Sequence, residues 1–276
     1  MPVVLSIAGS DSGGGAGIQA DLKTFEAHGV FGTTAITGIT AQNTVGVHAV
    51  HEVPPEIVTA QLDAVFDDFE VAAVKIGMLA SSEIIVAIAE ALSARAVMAP
   101  IVLDPVMVAT SGDRLLRADA IGALVARLLP LATVVTPNSV EAAILADMDV
   151  TDLETMREAG RRIIGGGARA VLVKGGHIEA SVGDAGAELI DVLLDGARVH
   201  HLPTRFIATA STHGTGCTLS SAIAARLAMG DRLLDAVLSA QAYVHRAIAA
   251  APGLGAGSGP LLHRIPMQLG DASQSC

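Results

Sequence analysis

The chain of 276 residues is poor in aromatic side chains and in cysteine. It contains one Tyr, five Phe and no Trp, so aromatic platforms on which bases could stack are scarce. Its two cysteines, one of them the terminal Cys276, do not provide a disulfide framework, and no secretory leader opens the sequence. We therefore expect the protein to work in a reducing cytoplasm.

Positive charge and long apolar runs are also scarce. The 17 Lys and Arg residues are outnumbered by 28 Asp and Glu residues, which gives a formal net charge of −11. This balance provides no electrostatic footprint for nucleic acid or for an anionic membrane. Charged residues, Gly or Pro interrupt the apolar stretches before about 18 residues, so no transmembrane helix is predicted. We expect a small-molecule ligand, with any phosphate site confined to a local region.

Several phosphate and metal motifs are missing as well. No Gly-Lys pair occurs, which excludes a Walker loop. The glycine-rich segment 9–17 resembles a dinucleotide fingerprint, but the next strand region, 33–44, has no Asp or Glu to bind a ribose hydroxyl. Neither zinc-ligand spacing nor a metalloprotease helix is present.

Ala, Val, Leu, Ile and 29 Gly dominate the composition, and short apolar segments alternate with longer amphipathic ones. Near-continuous apolar strands are typical of a parallel sheet that helices cover on both faces. The sequence thus predicts an α/β fold, a three-layer αβα sandwich with a mostly parallel sheet. Predicted strands are 3–8, 71–76, 101–106, 133–136 and 170–174; predicted helices are 17–28, 55–68, 81–95, 117–128, 138–147, 152–164, 216–229 and 231–250.

Two further predictions concern the sheet edge and the chain as a whole. The apolar-rich runs 189–194 and 197–202 flank Asp195-Gly196, a pair that favours a tight hairpin turn, so we expect a hairpin at a sheet edge. We expect residues 1–276 to form a single domain, with about the last ten residues as a flexible tail.

The run HGTGCT at 213–218 stands where an irregular stretch gives way to a predicted helix. The first N–H groups of a helix lack intrahelical partners and bind anions, and its dipole favours a thiolate. We therefore predict an anion site at this helix start and a lowered pKa for the Cys217 thiol, which makes it a candidate base. The alternative is that Cys217 is a small buried apolar residue.

Polar residues end otherwise apolar strands at Lys75, Asp104, Asn138 and Lys174. Because ligands of open α/β sheets collect at the carboxyl ends of the strands, we expect these side chains at one edge. There Asp104 and Glu141 could hold a hydrated metal ion and Lys174 could face phosphate oxygens. Alternatively, Asp104 shapes a turn, Asn138 and Glu141 form a capping box, and the lysines are solvated.

Seven segments in order and at matching spacing resemble the hydroxymethylpyrimidine/phosphomethylpyrimidine kinases of the ribokinase-like superfamily. They are AGSDSGGGAGIQADLKTF, ITAQNTVGVH, VKIGML, VLDPVMVATSGD, TPNSVEAA, VLVKGGH and STHGTGCTLSSAIAA. The resemblance covers nearly the full length. It implies a kinase of thiamine biosynthesis that uses ATP and Mg²⁺. Such an enzyme phosphorylates 4-amino-5-hydroxymethyl-2-methylpyrimidine, then converts the monophosphate to the diphosphate, and homodimers are common among its relatives.

The resemblance also assigns roles to individual residues. Cys217 takes the place of the aspartate base found in most of the superfamily. The amides of Gly214, Thr215 and Gly216 would hold the transferred phosphoryl group while Lys174 neutralises its charge. Asp104, Asn138 and Glu141 would support the nucleotide region and order magnesium through water. The pyrimidine pocket would be lined by Gly9, Ala16, Asp21, Gln42, Met78 and Val106.

Some of these residues have plainer explanations, and some positions depart from the family pattern. Gln42 could be a loop-end amide bonded to backbone, and Met78 and Val106 could belong to the core. Ala210 and Gln241 stand where members of the family carry lysines. The loop at 253–260, followed by His263, resembles the family's glycine-rich end segment, which is either placed over the nucleotide or is a disordered surface loop.

Two other functions stay open at this point. A pyridoxal kinase shares the fold and the chemistry and differs in the ring that it holds; Cys217 and the AQN segment favour the pyrimidine. A catalytically idle regulator could retain affinity for pyrimidine or nucleotide on the same scaffold, although Lys174, Glu141 and Cys217 together favour activity.

Overall fold

The structure, a computed structural model, describes residues 1–107, 116, 119–176 and 188–265. Its strands are β1 (Val3–Asp11), β2 (Phe31–Gln42), β3 (Val47–Glu52), β4 (Val71–Ile76), β5 (Ile101–Leu103), β6 (Val134–Val135), β7 (Ala170–Val173), β8 (Glu188–Asp195) and β9 (Arg198–Arg205). Its α-helices are α1 (Gly17–Ala27), α2 (Pro55–Asp68), α3 (Ser82–Ala94), α4 (Ala120–Ala123), α5 (Ser139–Ala146), α6 (Leu153–Gly165), α7 (Thr215–Ala228) and α8 (Leu233–Ala249).

The described strands form one nine-stranded sheet in the order β3-β2-β1-β4-β5-β6-β7-β8-β9. The strands from β2 through β7 in this order run parallel, whereas β3, β8 and β9 are antiparallel to their neighbours. The predicted three-layer, mostly parallel α/β fold is confirmed. The predicted hairpin is present too, with Asp195 paired to Arg198 and β9 at the sheet edge.

Strand β3 was not predicted from the sequence. Five of its six residues are exposed, so it carries none of the apolar periodicity that identifies a buried strand. It pairs with the end of β2, from Gly38 opposite Glu52 to Gln42 opposite Val47. Together β2 and β3 form an antiparallel ribbon at the edge of the sheet opposite β9.

Alternating residues of the central strands pack into two hydrophobic cores, one on each face of the sheet. Leu5 and Ile7 of β1 face the core that is covered by α2 to α6. Val4 faces the core that is covered by α1, α7 and α8. Because both faces are covered, the central strands are apolar at nearly every position, which is the pattern that predicted them.

The helices agree with the predicted segments to within a few residues, with one irregular stretch. The helix expected at 117–128 begins at Ala120 in the described residues, continues as a π-helical turn at Leu124–Leu128 and ends in a 3₁₀ turn at Leu129–Leu131. No helix among the residues described is long and apolar enough to cross a membrane. The expected tail at the carboxyl end, and positions 108–113 of the VMVATSGD motif, lie outside the described residues.

Candidate active site

Because β1, β4, β5, β6 and β7 are parallel, their carboxyl ends meet at one edge of the sheet, and α7 begins at the same edge. A cavity of about 640 Å³ lies there. All the predicted site residues but one line it: Gly9, Ala16, Gln42, Met78, Asp104, Val106, Asn138, Glu141, Lys174, Gly214, Thr215, Gly216 and Cys217. The exception is Asp21.

The start of α7 has the geometry of an anion site. Gly214 precedes the helix with a φ of +83°, and a Cβ there would lie 1.8 Å from the carbonyl oxygen of Gly15. The N–H groups of Gly216 and Cys217 come before the first intrahelical bond, which Thr218 donates to Gly214. A Cβ built on Gly216 would lie 3.4 Å from the Lys174 Nζ, so this turn faces a cation across the cavity.

Cys217 lies at the cavity wall, and the backbone N–H of Gly17 acts on its sulfur. Burial raises the pKa of the thiol to about 11; Lys75 and the Gly17 N–H oppose this rise, and Asp21 and Asp104 add to it. The expectation of a lowered pKa is therefore wrong, because loss of hydration outweighs the helix start. Cys217 nevertheless lines the cavity and is only partly buried, as a proton acceptor must be.

Asp21 does not contact the cavity, so its expected place in the pyrimidine pocket is wrong. Its carboxylate is wholly buried and already has four hydrogen bonds. Lys75 Nζ lies 2.9 Å from both carboxylate oxygens, and the hydroxyls of Ser6 and Ser221 donate to one oxygen each at 2.6 Å. Lys75 is equally buried, and so it is not a solvated strand-end lysine.

Asp104 and Lys174 meet above the ends of β5 and β7. Lys174 Nζ lies 3.4 Å from Asp104 Oδ1, and the carboxylate also accepts hydrogen bonds from Thr136 at 3.3 Å and Ser220 at 3.2 Å. Burial alone would lower the pKa of Lys174, but the charges of Asp104, Glu141 and Asp191 raise it overall. A positive charge is therefore fixed beside the start of α7.

Asn138 and Glu141 form the capping box that was one of the two predicted alternatives. Asn138 Oδ1 accepts from the Glu141 N–H at 2.9 Å, and Glu141 Oε2 accepts from the Asn138 N–H at 2.8 Å. Burial raises the pKa of Glu141 and Asp104 adds to the rise, although Lys174 and two backbone N–H groups oppose it. Glu141 still lines the cavity, so capping leaves it available to a ligand's water shell.

Asp11 and His213 form a pair in the cavity wall that the sequence analysis missed. His213 Nε2 lies 2.8 Å from Asp11 Oδ2, and the same carboxylate accepts from the N–H groups of Gly13, Gly15 and Ala16. Burial would raise the pKa of Asp11, but His213 and the N–H groups of Ala16 and Gly13 lower it overall. The Asp-x-Gly spacing of the loop is typical of an Asx turn, and it could have indicated that Asp11 organises this loop.

Gln42 extends into the cavity from the end of β2. Its Oε1 accepts from the Thr40 hydroxyl at 3.2 Å, and its Nε2 lies 3.4 Å from His213 Nε2. These contacts are to side chains, not to the backbone as the loop-end alternative required. Met78 lies beneath them, 8 % exposed, and a Cβ on Gly9 would come within 2.9 Å of its sulfur.

Gln241 occupies one of the two positions where a lysine was expected from the family pattern. Its Nε2 donates to Asp191 Oδ2 at 2.7 Å, and the other carboxylate oxygen accepts from the Gly175 N–H at 2.8 Å. Burial raises the pKa of Asp191 against the influence of these two donors and of Lys174. Asp191 had not been predicted, since it stands inside an apolar hairpin strand without a distinguishing motif.

The glycine-rich loop at 253–260 packs against the turn after β2. Ser258 donates its N–H to the Thr44 carbonyl at 2.8 Å, and Gly259 donates to the carbonyl of Ala210 at 3.2 Å. His263 follows, with its Nε2 2.9 Å from the Thr218 hydroxyl, and burial lowers its pKa to about 4. The loop supports the start of α7 from outside, and it is not among the residues that line the cavity.

Comparison with known proteins agrees with this geometry. Residues 11–262 match the family model described as phosphomethylpyrimidine kinase. A hydroxymethylpyrimidine/phosphomethylpyrimidine kinase of Rhizobium meliloti (strain 1021) is 56 % identical over 264 residues, which are 95 % of this chain and 96 % of that protein.

Two solved structures are also similar. The crystal structure of phosphomethylpyrimidine kinase from Clostridium difficile 630 has a TM-score of 0.79 and 41 % identity, covering 90 % of this chain and 100 % of that one. The pyridoxal kinase from Staphylococcus aureus in complex with AMP-PCP has a TM-score of 0.86 and 36 % identity, covering 96 % and 94 %.

Proposed function

The chain belongs to the phosphomethylpyrimidine kinase family, and we propose that it carries out both phosphorylations of thiamine biosynthesis that such kinases perform. ATP phosphorylates the hydroxymethyl oxygen of 4-amino-5-hydroxymethyl-2-methylpyrimidine, and a second ATP converts the monophosphate to the diphosphate. The observation that carries the proposal is the meeting of an anion site at the start of α7, the Lys174 ammonium and the Cys217 sulfur at one cavity.

In the first step the hydroxymethyl oxygen forms a bond to the γ-phosphorus of ATP. The bond from that phosphorus to the β,γ-bridging oxygen breaks, and ADP leaves with the electron pair. The thiolate of Cys217 takes the hydroxyl proton and later releases it to solvent. The N–H groups of Gly214, Gly216 and Cys217 and the Lys174 ammonium hold the negative oxygens of the transferred group, because fixed donors stabilise charge as it develops. The N–H of Thr215, which was expected to join them, already donates to the Thr212 carbonyl at 3.3 Å.

In the second step the acceptor is a phosphate oxygen that is already ionised near neutral pH. It needs no base to remove a proton, so Cys217 matters much less. The anion site and Lys174 serve both steps, because each step transfers the same γ-phosphoryl group.

Magnesium fits this site through its water shell. The described residues hold no cluster of three or more His, Cys, Asp or Glu side chains able to enclose a metal ion. Asp104 and Glu141 are buried carboxylates at the cavity, already bonded to protein donors but able to accept further bonds from metal-bound water. Mg²⁺ usually keeps several waters and neutralises phosphate charge, which suits this arrangement.

The pyrimidine lies beside Gln42, whose amide offers a donor and an acceptor to a ring nitrogen and the amino group. His213, held by Asp11, stands behind that amide, and Met78 and Gly9 form the apolar floor. Ala16 and Val106 complete the pocket in the same proposal.

Release of ADP in the presence of Mg²⁺ tests the function with three acceptors: the hydroxymethylpyrimidine, its monophosphate and pyridoxal. We expect turnover with the first two. Turnover with pyridoxal alone would favour the pyridoxal kinase function, for which the similarity to the Staphylococcus aureus enzyme is the specific support. Absence of turnover with all three would favour a regulator that binds without catalysis.

We also propose that the chain forms a single domain, that two chains form a homodimer, and that the protein works in the cytoplasm. The ribbon of β2 and β3 and the turn that joins them leave Ile39, Val45 and Val50 more than 40 % exposed, and we place the contact between the two chains on these side chains. Light scattering on dilute protein should give twice the mass of the chain, and Ile39→Asp should shift it toward the single-chain mass. A single-chain mass for the parent protein would contradict the dimer.

A further inference from the structure

The buried ion pair between Asp21 and Lys75 takes no part in the phosphoryl transfer described above. Both side chains are 0 % exposed, and Lys75 Nζ lies 2.9 Å from each carboxylate oxygen. Replacing such a buried ion pair by apolar residues of similar volume is often neutral or stabilising, so a gain in stability is a poor explanation for it. Since stability alone does not account for the pair, its position in the fold becomes informative.

Two helices place this pair one turn below the catalytic sulfur. On α1, the Gly17 N–H acts on the Cys217 sulfur in the direction that favours the thiolate, and Asp21 follows four residues later on the same helix face. On α7, Ser221 follows Cys217 by four residues and donates to Asp21 Oδ1 at 2.6 Å. The contact of α1 with α7 therefore repeats after one turn, first at the sulfur and then at the ion pair.

Pairing between β4 and β1 in the sheet fixes the position of Lys75. Lys75 on β4 is paired in register with Ser6 on β1, and Ser6 donates to Asp21 Oδ2 at 2.6 Å. Lys75 is also one of the residues at the cavity floor. Its ammonium group is held by the Asp21 carboxylate and has no freedom to turn toward solvent.

We propose that Lys75 is a positioning residue that stabilises the thiolate of Cys217 while it accepts the proton of the hydroxymethyl group, and that Asp21 sets how much of that positive charge the sulfur experiences. This inference rests on the proposed function, in which Cys217 is the proton acceptor. In this proposal the ammonium group of Lys75 is a fixed counter-charge for the Cys217 thiolate, and it contacts neither substrate.

The charged groups that act on the sulfur come from three directions. Lys75 on β4 favours the thiolate, whereas Asp21 on α1 and Asp104 beyond β5 oppose it. Burial would lower the pKa of Lys75, but Asp21, Cys217 and Asp104 together raise it, so the ammonium persists. Removing the charge of Asp21 leaves the thiolate as the strongest remaining negative influence on Lys75. Removing Lys75 leaves the thiolate without the one cation among these groups.

The two changes therefore shift the thiol titration in opposite directions, which a merely structural pair would not do. In a Cys276→Ser background, Cys217 is the remaining thiol. The rate of its alkylation by iodoacetamide is measured against pH. Asp21→Asn should lower the apparent pKa of the thiol by about one unit or more. Asp21→Asn combined with Lys75→Met should raise it, because the influence of Lys75 on the sulfur exceeds that of Asp21.

Asp63→Asn is the matched control, because it changes the net charge equally at an exposed ion pair with Arg95 on the far face of the sheet. It should leave the thiol titration unchanged. Circular dichroism checks that each variant folds; if the double variant does not fold, the direction of the Asp21→Asn shift decides alone. Alkylation profiles of Asp21→Asn and parent that coincide would overturn the proposal.

The pH profile of the first phosphorylation supplies the second measurement. It should move with the thiol titration in Asp21→Asn, while the second phosphorylation keeps its profile. A shifted thiol titration without a matching shift in the rate profile would also overturn the proposal. Alkylation needs no turnover, so failure of the proposed kinase function would be recognised separately, as absent ADP release from the parent protein.

Discussion

The backbone N–H of Gly17 at the start of α1 favours the thiolate of Cys217 at the start of α7, so the two helix starts act on one thiol. Gly17 has a φ of +56°, and a Cβ there would lie 2.4 Å from the carbonyl oxygen of Gly9. The glycine-rich turn that follows β1 is thereby coupled to the group that we propose as proton acceptor. Changes on either helix start should register in the first phosphorylation.

Replacing Cys217 by Ala should separate the two phosphorylations. We expect the first to fall by about 10²- to 10⁴-fold, the usual contribution of a positioned acid or base, while the second falls far less. ADP release with each acceptor measures both, and nucleotide affinity should be preserved. Equal turnover of the hydroxymethylpyrimidine by variant and parent would remove Cys217 from the mechanism.

The rate of the first phosphorylation should rise with pH. The pKa of Cys217 is raised to about 11, so the thiolate fraction increases about tenfold per pH unit below that value. Between pH 7 and 9 we therefore expect a steep rise for the hydroxymethylpyrimidine and a much flatter profile for its monophosphate. Parallel profiles for the two acceptors would show that a shared step, not the thiol, responds to pH.

Lys174→Met should slow both phosphorylations, because this ammonium faces the start of α7 and serves the same phosphoryl group in each. A loss of about 10²-fold or more in kcat is expected for a donor fixed at developing charge. Arg161→Met is the control, since Arg161 is an exposed cation on α6 that pairs with Glu158 away from the cavity. A loss restricted to one of the two acceptors would contradict this role.

Gln42→Ala should weaken pyrimidine binding with little effect on nucleotide affinity. Its amide is held by Thr40 and lies beside His213, on the wall that we assign to the ring. Truncation that leaves a polar ligand group unpaired costs about 1 to 3 kcal/mol. Titration calorimetry with the pyrimidine and separately with an ATP analogue measures both affinities, and unchanged pyrimidine affinity would refute the assignment.

Gly214→Ala should destabilise the fold more than Gly29→Ala does. Both glycines have positive φ, +83° and +71°, so both variants carry a backbone cost of about 1 to 2 kcal/mol. Only at Gly214 would the added Cβ also meet backbone, at 1.8 Å from the Gly15 oxygen, whereas nothing lies within 4 Å of a Cβ at Gly29. Thermal melting should show the larger fall for Gly214→Ala; equal falls would indicate that the turn simply relaxes.

Much of the architecture could be predicted from local patterns. Buried parallel strands are apolar at nearly every position, helices repeat their apolar residues every three to four positions, and Asp195-Gly196 marks a hairpin. Strand β3 was not predicted, because its exposed residues carry no such apolar pattern. The edge where Asp104, Asn138 and Lys174 meet followed from strand direction alone.

The sequence by itself thus determined the layered fold, the polar edge and the family, since these depend on local periodicity and on contiguous motifs. Only the tertiary structure decided which ionisable groups face ligand. Asp21 lies in a conspicuous motif, but its carboxylate forms a buried ion pair with Lys75. His213 contacts Asp11, which lies 202 residues away in the sequence. The pKa of Cys217 rises instead of falling because hydration and neighbouring charge depend on packing between distant segments, which no local stretch of the chain specifies.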